Sequence, residues 1–450
     1  MPIDGKIASR PAESTGFQPT RCRTRGVNAC PCALAFVGLA RGCGNISGFD
    51  RDPDPERFFA PRQRPFVHEI SALTEFPMPN NARPVLLFAS FSGAGGVERM
   101  LVNLMRGLVE LGHPVDLLLA GNDSPHLARL PAAVRRIDLG TRHTLAAAVG
   151  LARYLRRERP PALLVAKDRA GRAAVIARRL AGSNTRIVLR LGTNLSAAMA
   201  GRSALDRWLR YLPIRRLYPA IDHIVAVSDG VAADVMAIAR YPRARISVIR
   251  NPVITPELIR DASLPCPHAW LHAPREPHLP VIVGAGRLQR QKDFPTLIRA
   301  FALLRRRRRC RLLVLGDGGD RTALQALIER LGMQQDVDLP GFQHNLSCFL
   351  ARADLFVLSS AWEGSPNVLT EAMALGTPVV ATDCPSGPRE ILAEGRFGPL
   401  VPVGDEHRLA AAMAHMLDRP TAPATLKSAV SEYAYRSSAA RYLDLLRDRR

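Results

Sequence analysis

Val85-Leu86-Leu87-Phe88-Ala89 leads into Ser92-Gly93-Ala94-Gly95-Gly96, then a helical stretch from Val97 to Leu111, then a second apolar run from Val115 to Ala120. An apolar run with no alternation has no wet face, so the strand it forms must be covered on both sides. That is the environment of a parallel sheet between helices. The pattern repeats outward. Strand-like runs recur at residues 162–166, 186–191, 224–228 and 246–249, and helical stretches include 145–156 and 170–180. Residues 252–280 interrupt it with seven prolines and read as an interdomain linker. Alternation then resumes, with strands at 281–284, 311–315, 355–359 and 378–382 and helices at 296–307, 321–331 and 367–374. The fold class expected is α/β: two doubly wound, Rossmann-like domains facing a cleft. The domain boundaries expected are 81–258 and 280–427, joined by a linker at 259–279. A terminal helix within 428–450 is expected to pack back toward the first domain.

The first 77 residues show no helical or strand period and are rich in Pro, Gly, Arg and Ser. Their apolar stretch Ala33–Ala40 is short, contains Gly38 and runs into Arg41 instead of a small-residue cleavage site, which argues against a signal peptide. Residues 1–80 are expected to be a disordered extension or the product of a displaced start codon, with Met78 a natural start. Four of the eight cysteines, Cys22, Cys30, Cys32 and Cys43, lie there. Their spacing suits neither a zinc site nor a disulfide framework, so the body reads as a reduced, cytoplasmic protein. No apolar run reaches the 18 or so residues of a membrane-crossing helix.

Loops at the carboxyl ends of parallel strands, where helix N-termini begin, are where such folds hold ligands. Four loops stand out. Gly93–Gly96 frees backbone N–H groups to approach an anion. Gly284-Ala285-Gly286-Arg287-Leu288-Gln289-Arg290-Gln291-Lys292 places two cations, Arg287 and Lys292, after a glycine turn, a planar fork and a point charge suited to a diphosphate. Gly316-Asp317-Gly318-Gly319 is either a structural turn or part of the same pocket. Ser359-Ser360-Ala361-Trp362-Glu363-Gly364-Ser365-Pro366-Asn367-Val368-Leu369-Thr370-Glu371 is the most informative. Pro366 opens a helix, Glu363 falls in the turn before it, and Glu371 falls about one turn inside. N–H groups near Asn367, Val368 and Leu369 make an anion site. Two carboxylates beside an anion site are awkward unless they bind hydroxyls. A nucleotide sugar satisfies all three: diphosphate on the N–H groups, ribose on one carboxylate, hexose on the other.

At this point the sequence resembles the retaining glycosyltransferases of family 4, which have the GT-B fold. The carrying motifs are GAGRLQRQKDF, GDG, the pair Glu363…Glu371 and GTPVVATDCPSGPREIL. Gly95-Gly96-Val97-Glu98-Arg99, Val227-Ser228 and Arg250-Asn251-Pro252 also match, and the resemblance spans roughly residues 84–445. It implies that the second domain binds a UDP- or GDP-sugar and the first binds a glycan or lipid-linked acceptor. It assigns Arg287 and Lys292, with Gly286, to the donor diphosphate and the neutralisation of the leaving nucleotide, without a metal or other cofactor. It assigns Glu371 to ribose hydroxyls. Glu363 would contact the transferred sugar, helped by backbone at Gly364, Ser365 and Asn367. Glu363, Arg287 and Lys292 are thus the catalytic candidates. Gly95 and Gly96 would approach the phosphates across the cleft. One departure is visible. Many relatives carry a histidine in the first domain near the donor sugar, and Gly192-Thr193-Asn194 has none. Asn194, together with Asp168, is the acceptor-side candidate.

The formal net charge is +22, from 62 basic and 40 acidic residues, and only four of the basic ones are lysine. Residues 142–250 hold 21 basic and 6 acidic side chains, so the excess concentrates in the acceptor half. Arg153, Arg156, Arg157, Arg178, Arg179, Arg207, Arg210, Arg215 and Arg216, interleaved with Trp208, Leu209, Tyr211 and Leu212, suit an anionic membrane surface better than nucleic acid. The expected role is transfer of a hexose in cell-surface polysaccharide or lipopolysaccharide synthesis, on the inner face of the plasma membrane. The alternatives are a GT-B sugar-nucleotide epimerase and a non-enzymatic basic protein binding membrane or nucleic acid. A pyridoxal phosphorylase would need a Schiff-base lysine in the cleft, and Lys292 is committed to phosphate.

Overall fold

The computed structural model describes residues 83–447, apart from Ser92, Ala94, Arg142 and residues 273–278. The expectations for residues 1–80, the four cysteines there included, lie outside the described residues.

The first domain contains β1 (Val85–Phe91), α1 (Gly96–Glu110), β2 (Val115–Asn122), β3 (Val134–Asp138), α2 (Ala147–Glu158), β4 (Ala162–Ala166) and α3 (Asp168–Ala181). It continues with β5 (Arg186–Leu191), α4 (Leu195–Ala198), α5 (Ala204–Leu217), β6 (His223–Ala226), α6 (Asp229–Ala239) and β7 (Ile246–Val248). All seven strands are parallel, in the order β3-β2-β1-β4-β5-β6-β7. The apolar runs are the buried strands: Leu87, Phe88, Ala89, Leu163, Val165, Val188 and Leu189 have no exposed surface at all. β3 differs: it is a sheet edge, and along Val134–Asp138 only Val134 is buried.

α7 (Pro256–Ser263) connects to the second domain. That domain has β8 (Val281–Ala285), α8 (Phe294–Arg305), β9 (Arg311–Leu315), α9 (Arg321–Arg330), β10 (Val337–Gly341), α10 (Ser347–Leu350), β11 (Leu355–Leu358) and α11 (Asn367–Leu375). β12 (Val379–Thr382), α12 (Pro388–Ile391), β13 (Leu400–Val401), α13 (Glu406–Asp418), α14 (Pro423–Ala429) and α15 (Tyr435–Arg447) complete the chain. Its parallel sheet runs β10-β9-β8-β11-β12-β13. The two sheets share one logic. Strand order reverses direction between β1 and β4 in one and between β8 and β11 in the other, and the crevices at these switch points are where α/β sheets bind ligands.

The proline-rich stretch read as a linker is more ordered than that word implies. Thr255 caps α7 through the Leu258 N–H, Pro256 occupies the first turn, and Leu258, Cys266 and Leu271 are buried in the core of the second domain. α15 returns to the first domain, where Ala439, Tyr442 and Leu443 join the core beneath β1 and α1. A Cβ on Gly107 of α1 would stand 2.7 Å from that of Ala439, so the missing side chain is what lets the two helices approach. The four described cysteines, Cys266, Cys310, Cys348 and Cys384, are buried thiols.

Candidate functional site

At the switch point of the second sheet, the loop after β8 meets the turn after β11. Lys292 Nζ donates to Glu363 Oε1 at 2.5 Å, with side chains 15% and 8% exposed. Ser360 Oγ donates to the same oxygen at 2.7 Å. The turn is locked in place by backbone: Ala361 N donates to Gln291 O at 2.8 Å, Gln291 Nε2 to Trp362 O at 2.9 Å, and Ser359 Oγ to Lys292 O at 2.8 Å. The Cys384 thiol lies next to the ion pair. Burial pushes its pKa up to about 12, with the Glu363 charge adding to the rise and Lys292 opposing it. The pair is thus largely buried and hydrogen-bonded, in surroundings where charge acts strongly.

The GDG turn supports the loop. The Gly316 Cβ position falls 1.9 Å from Gly286 O, and that of Gly318 falls 2.2 Å from Leu288 O. Leu288 N donates to Asp317 O at 2.9 Å, and Asp320 N to Leu288 O at 3.1 Å. Of the two readings left open, the structural one accounts for both glycines. The turn holds the Gly286–Leu288 backbone, over which the Lys292 stem passes at 2.8 Å from the Gly286 Cβ position.

α11 opens at Asn367 after Pro366. The Leu369 N–H is committed to Pro366 O at 3.1 Å, so of the three N–H groups expected to bind an anion, this one is spent inside the helix. Asn367 does more than open the helix. Its side chain donates to Gly96 O of the first domain at 3.2 Å and accepts from Asn251 Nδ2 at 2.8 Å. The Asn251 carbonyl in turn accepts from Arg190 NH2 at 2.7 Å. Arg190 is 3% exposed, and burial draws its pKa down while Tyr442 and Glu98 counter this.

The expected donor-side residues thus line one cleft, and the first domain closes on it through glycines. Gly364 has its Cβ position 2.1 Å from Gly192 O, and that of Gly95 lies 3.7 Å from an Arg287 nitrogen. Arg287 itself is exposed. Glu371, 3% exposed, is ion-paired with Arg99 of α1. Arg99 and Glu371 also line a cavity of about 430 Å³ with Asn103, Arg106, Asn345 and Ser347. Sequence reading gave Arg99 no role. As one more arginine in a helix's first turn, it carried no sign of a partner 272 positions away.

The acceptor-side candidates separate. Asp168 lines a second cavity of about 180 Å³ with Lys167, Gly192, Thr193, Arg210 and Asp234. Its carboxylate is engaged by Arg172 at 3.0 Å, Arg210 at 2.9 Å and the Tyr218 hydroxyl at 2.9 Å. Asn194 is not among that cavity's lining residues. It caps α4, accepting from Ala197 N at 2.9 Å, and donates across the cleft to Ser386 Oγ at 2.8 Å. Lys167 was not singled out from sequence. Its ammonium is 2.6 Å from Glu98 Oε1, and its backbone sits at φ +76, a conformation uncommon for a side chain of this kind and concentrated at working sites.

The basic region is not uniformly free. Arg178 binds Asp222 at 2.5 Å, Arg156 donates to Leu180 O at 2.6 Å, and Arg210 holds Asp168. α5 keeps an open face, with Leu205, Trp208 and Leu209 64%, 51% and 53% exposed beside exposed Arg207, Arg215 and Arg216. Tyr211 instead packs against the core of the first domain. Among the described residues no helix is long and apolar enough to cross a membrane.

Comparison with known proteins agrees with this architecture. A family model described as Glycosyltransferase Family 4 matches residues 94–256, and one described as Glycosyl transferases group 1 matches residues 279–419. The chain is 30% identical over 244 residues to N-acetylgalactosamine-N,N'-diacetylbacillosaminyl-diphospho-undecaprenol 4-alpha-N-acetylgalactosaminyltransferase of Campylobacter jejuni, an alignment covering 53% of this chain and 62% of that protein. It is 31% identical over 187 residues to lipopolysaccharide 1,6-galactosyltransferase of Salmonella typhimurium, covering 41% and 49%. The chain thus spans about half to three fifths of the length of these curated relatives. Among solved structures, Anabaena HepE in complex with UDP-glucose superposes with a TM-score of 0.62 at 18% identity, covering 81% of this chain and 98% of that one. Two parallel-sheet domains about a cleft, with a family model matched to each, place the chain in glycosyltransferase family 4, with the GT-B fold.

Proposed function

We propose that the protein is a retaining glycosyltransferase that moves a hexose-type sugar from a UDP- or GDP-sugar to a lipid-linked glycan during cell-surface polysaccharide or lipopolysaccharide synthesis. The observation that carries this reading is the buried Lys292–Glu363 pair at the second sheet's switch point, in the turn that leads into α11, the helix that carries Glu371. Lys292 and Arg287 bind the diphosphate and neutralise it as it leaves, a charge-stabilising role aimed where negative charge develops. Glu363, fixed by Lys292 and Ser360, orients the transferred sugar through its hydroxyls. Glu371 accepts from ribose, and Gly95 and Gly96 let the first domain's backbone approach the phosphates. With no side-chain base required, the departing phosphate oxygen takes the acceptor proton, and the new bond keeps the anomeric configuration. The 180 Å³ cavity beside Gly192, bounded by Asp168, is the proposed acceptor side.

The experiment is turnover of UDP- and GDP-sugars with the product's anomeric configuration read by proton NMR, with and without EDTA. Retention and an unchanged rate in EDTA are expected. Inversion, or a rate abolished by EDTA and restored by a divalent ion, would overturn the mechanism.

The names of the relatives, one of which specifies a diphospho-undecaprenol substrate, and the open face of α5 support an acceptor at a membrane. Apolar side chains beside arginines suit the headgroup boundary of an anionic leaflet. Sedimentation with phosphatidylglycerol vesicles is expected, and it should weaken about tenfold or more in the Leu205→Glu/Trp208→Glu/Leu209→Glu variant. Equal binding to neutral phosphatidylcholine vesicles, or no effect of the substitutions, would refute docking through α5.

A further inference from the structure

Glu371 is held at one oxygen only. Oε1 takes the Arg99 guanidinium from the opposite domain, while Oε2 is buried and accepts no hydrogen bond from the protein. A buried carboxylate oxygen left without a donor is costly, and such atoms call for a specific explanation. Glu371 lines the 430 Å³ cavity, and so do Arg99, Asn103 and Arg106, three successive positions on one face of α1. Arg99 is the more solvated partner, its side chain 31% exposed against 4% for Glu371.

We propose that Arg99 is a positioning residue for donor recognition. By gripping Oε1 from the first domain it fixes the plane of the Glu371 carboxylate at the cavity wall and leaves Oε2, which no protein donor occupies, to accept from the vicinal hydroxyls of a nucleotide's ribose. The proposal rests on the reading of Glu371 as the ribose ligand and adds the residue that aims it. It also makes ribose recognition depend on closure. Arg99 sits in α1, three residues beyond Gly96, whose carbonyl accepts from Asn367. The carboxylate is therefore aimed only while α1 and α11 are together. A ligand that uses the aimed carboxylate must favour the closed form by the same factor that closure favours the ligand.

The test measures binding of UDP, GDP and their 2′,3′-dideoxy analogues to the full chain by calorimetry, in the wild type and in Arg99→Met, Arg99→Lys and Glu371→Ala. Hydrogen bonds to a charged group imply a wild-type preference for the ribose form of about tenfold or more. Arg99→Met should reduce that preference to about twofold while leaving the affinity for the dideoxy analogue unchanged. Arg99→Lys, which keeps the charge but not the fork, should fall between. A purely structural role for Arg99 would weaken both nucleotides equally, and that result overturns the proposal, as does full retention of the preference in Arg99→Met. Should Glu371→Ala keep the preference, the ribose assignment itself is wrong. If neither UDP nor GDP binds the wild type, the donor reading fails with it.

Discussion

Lys292→Ala is expected to lower sugar transfer by about 10²–10³-fold, the loss typical of removing one preorganised charge-stabilising group. The structure adds a second consequence. Lys292 holds Glu363, which is 6% exposed, and losing the cation leaves that carboxylate with the hydroxyl of Ser360 as its side-chain donor. Stripping one partner from a buried pair costs about 3–5 kcal/mol, so the single variant should also melt well below the wild type. Lys292→Ala combined with Glu363→Gln removes the orphaned charge. The pair of substitutions should recover most of the melting temperature and none of the activity. Differential scanning calorimetry beside a transfer assay separates the two effects. Transfer within about fivefold of wild type in Lys292→Ala would mean that the diphosphate lies elsewhere.

Gly364→Ala is the second large effect. Its new methyl would lie 2.1 Å from Gly192 O and 2.6 Å from the Gly192 carbonyl carbon, backbone atoms of the other domain. Neither is the end of a flexible side chain, so the two domains must part or the turn that carries Glu363 must shift. A displacement of about 1 Å at a reacting centre costs about 10²-fold. The expectation is a loss of that order in kcat, with UDP or GDP affinity falling by no more than the roughly tenfold that the Arg99-aimed Glu371 contributes. Normal turnover in Gly364→Ala would show that the Gly192–Gly364 approach is not part of the working conformation.

Much of this was legible in the sequence because the strands are buried on both faces. Residues 162–166, 186–191 and 311–315 read as strands from their apolar runs and form β4, β5 and β9 with those bounds. β3 escaped because an edge strand needs only one covered face. Val134 alone is buried there, and the run Val-Arg-Arg-Ile-Asp looks like a loop. α7 was hidden by its prolines, although Thr255 and Pro256 together are a helix-start signal. α5 carries Pro213 and little amphipathic period, since its outer face is open.

The motif loops were legible because glycine, proline and paired carboxylates constrain backbone and charge locally. What joins the two halves was not. Arg99 to Glu371, Asn194 to Ser386 and Gly192 to Gly364 are contacts between segments over 170 positions apart. Nothing in the local pattern of either segment requires them. The same holds for Lys167, whose positive φ and ion pair with Glu98 emerge only when β1 and β4 lie side by side.

The most direct test of the central claim, that the second domain binds and activates a nucleotide sugar, is release of UDP or GDP from a panel of UDP- and GDP-sugars by the purified protein. The wild type should hydrolyse at least one donor slowly in the absence of acceptor, and the Lys292→Ala/Glu363→Gln protein, folded by calorimetry, should not. Release of nucleotide at the wild-type rate by that variant, or from no donor by the wild type, would contradict it.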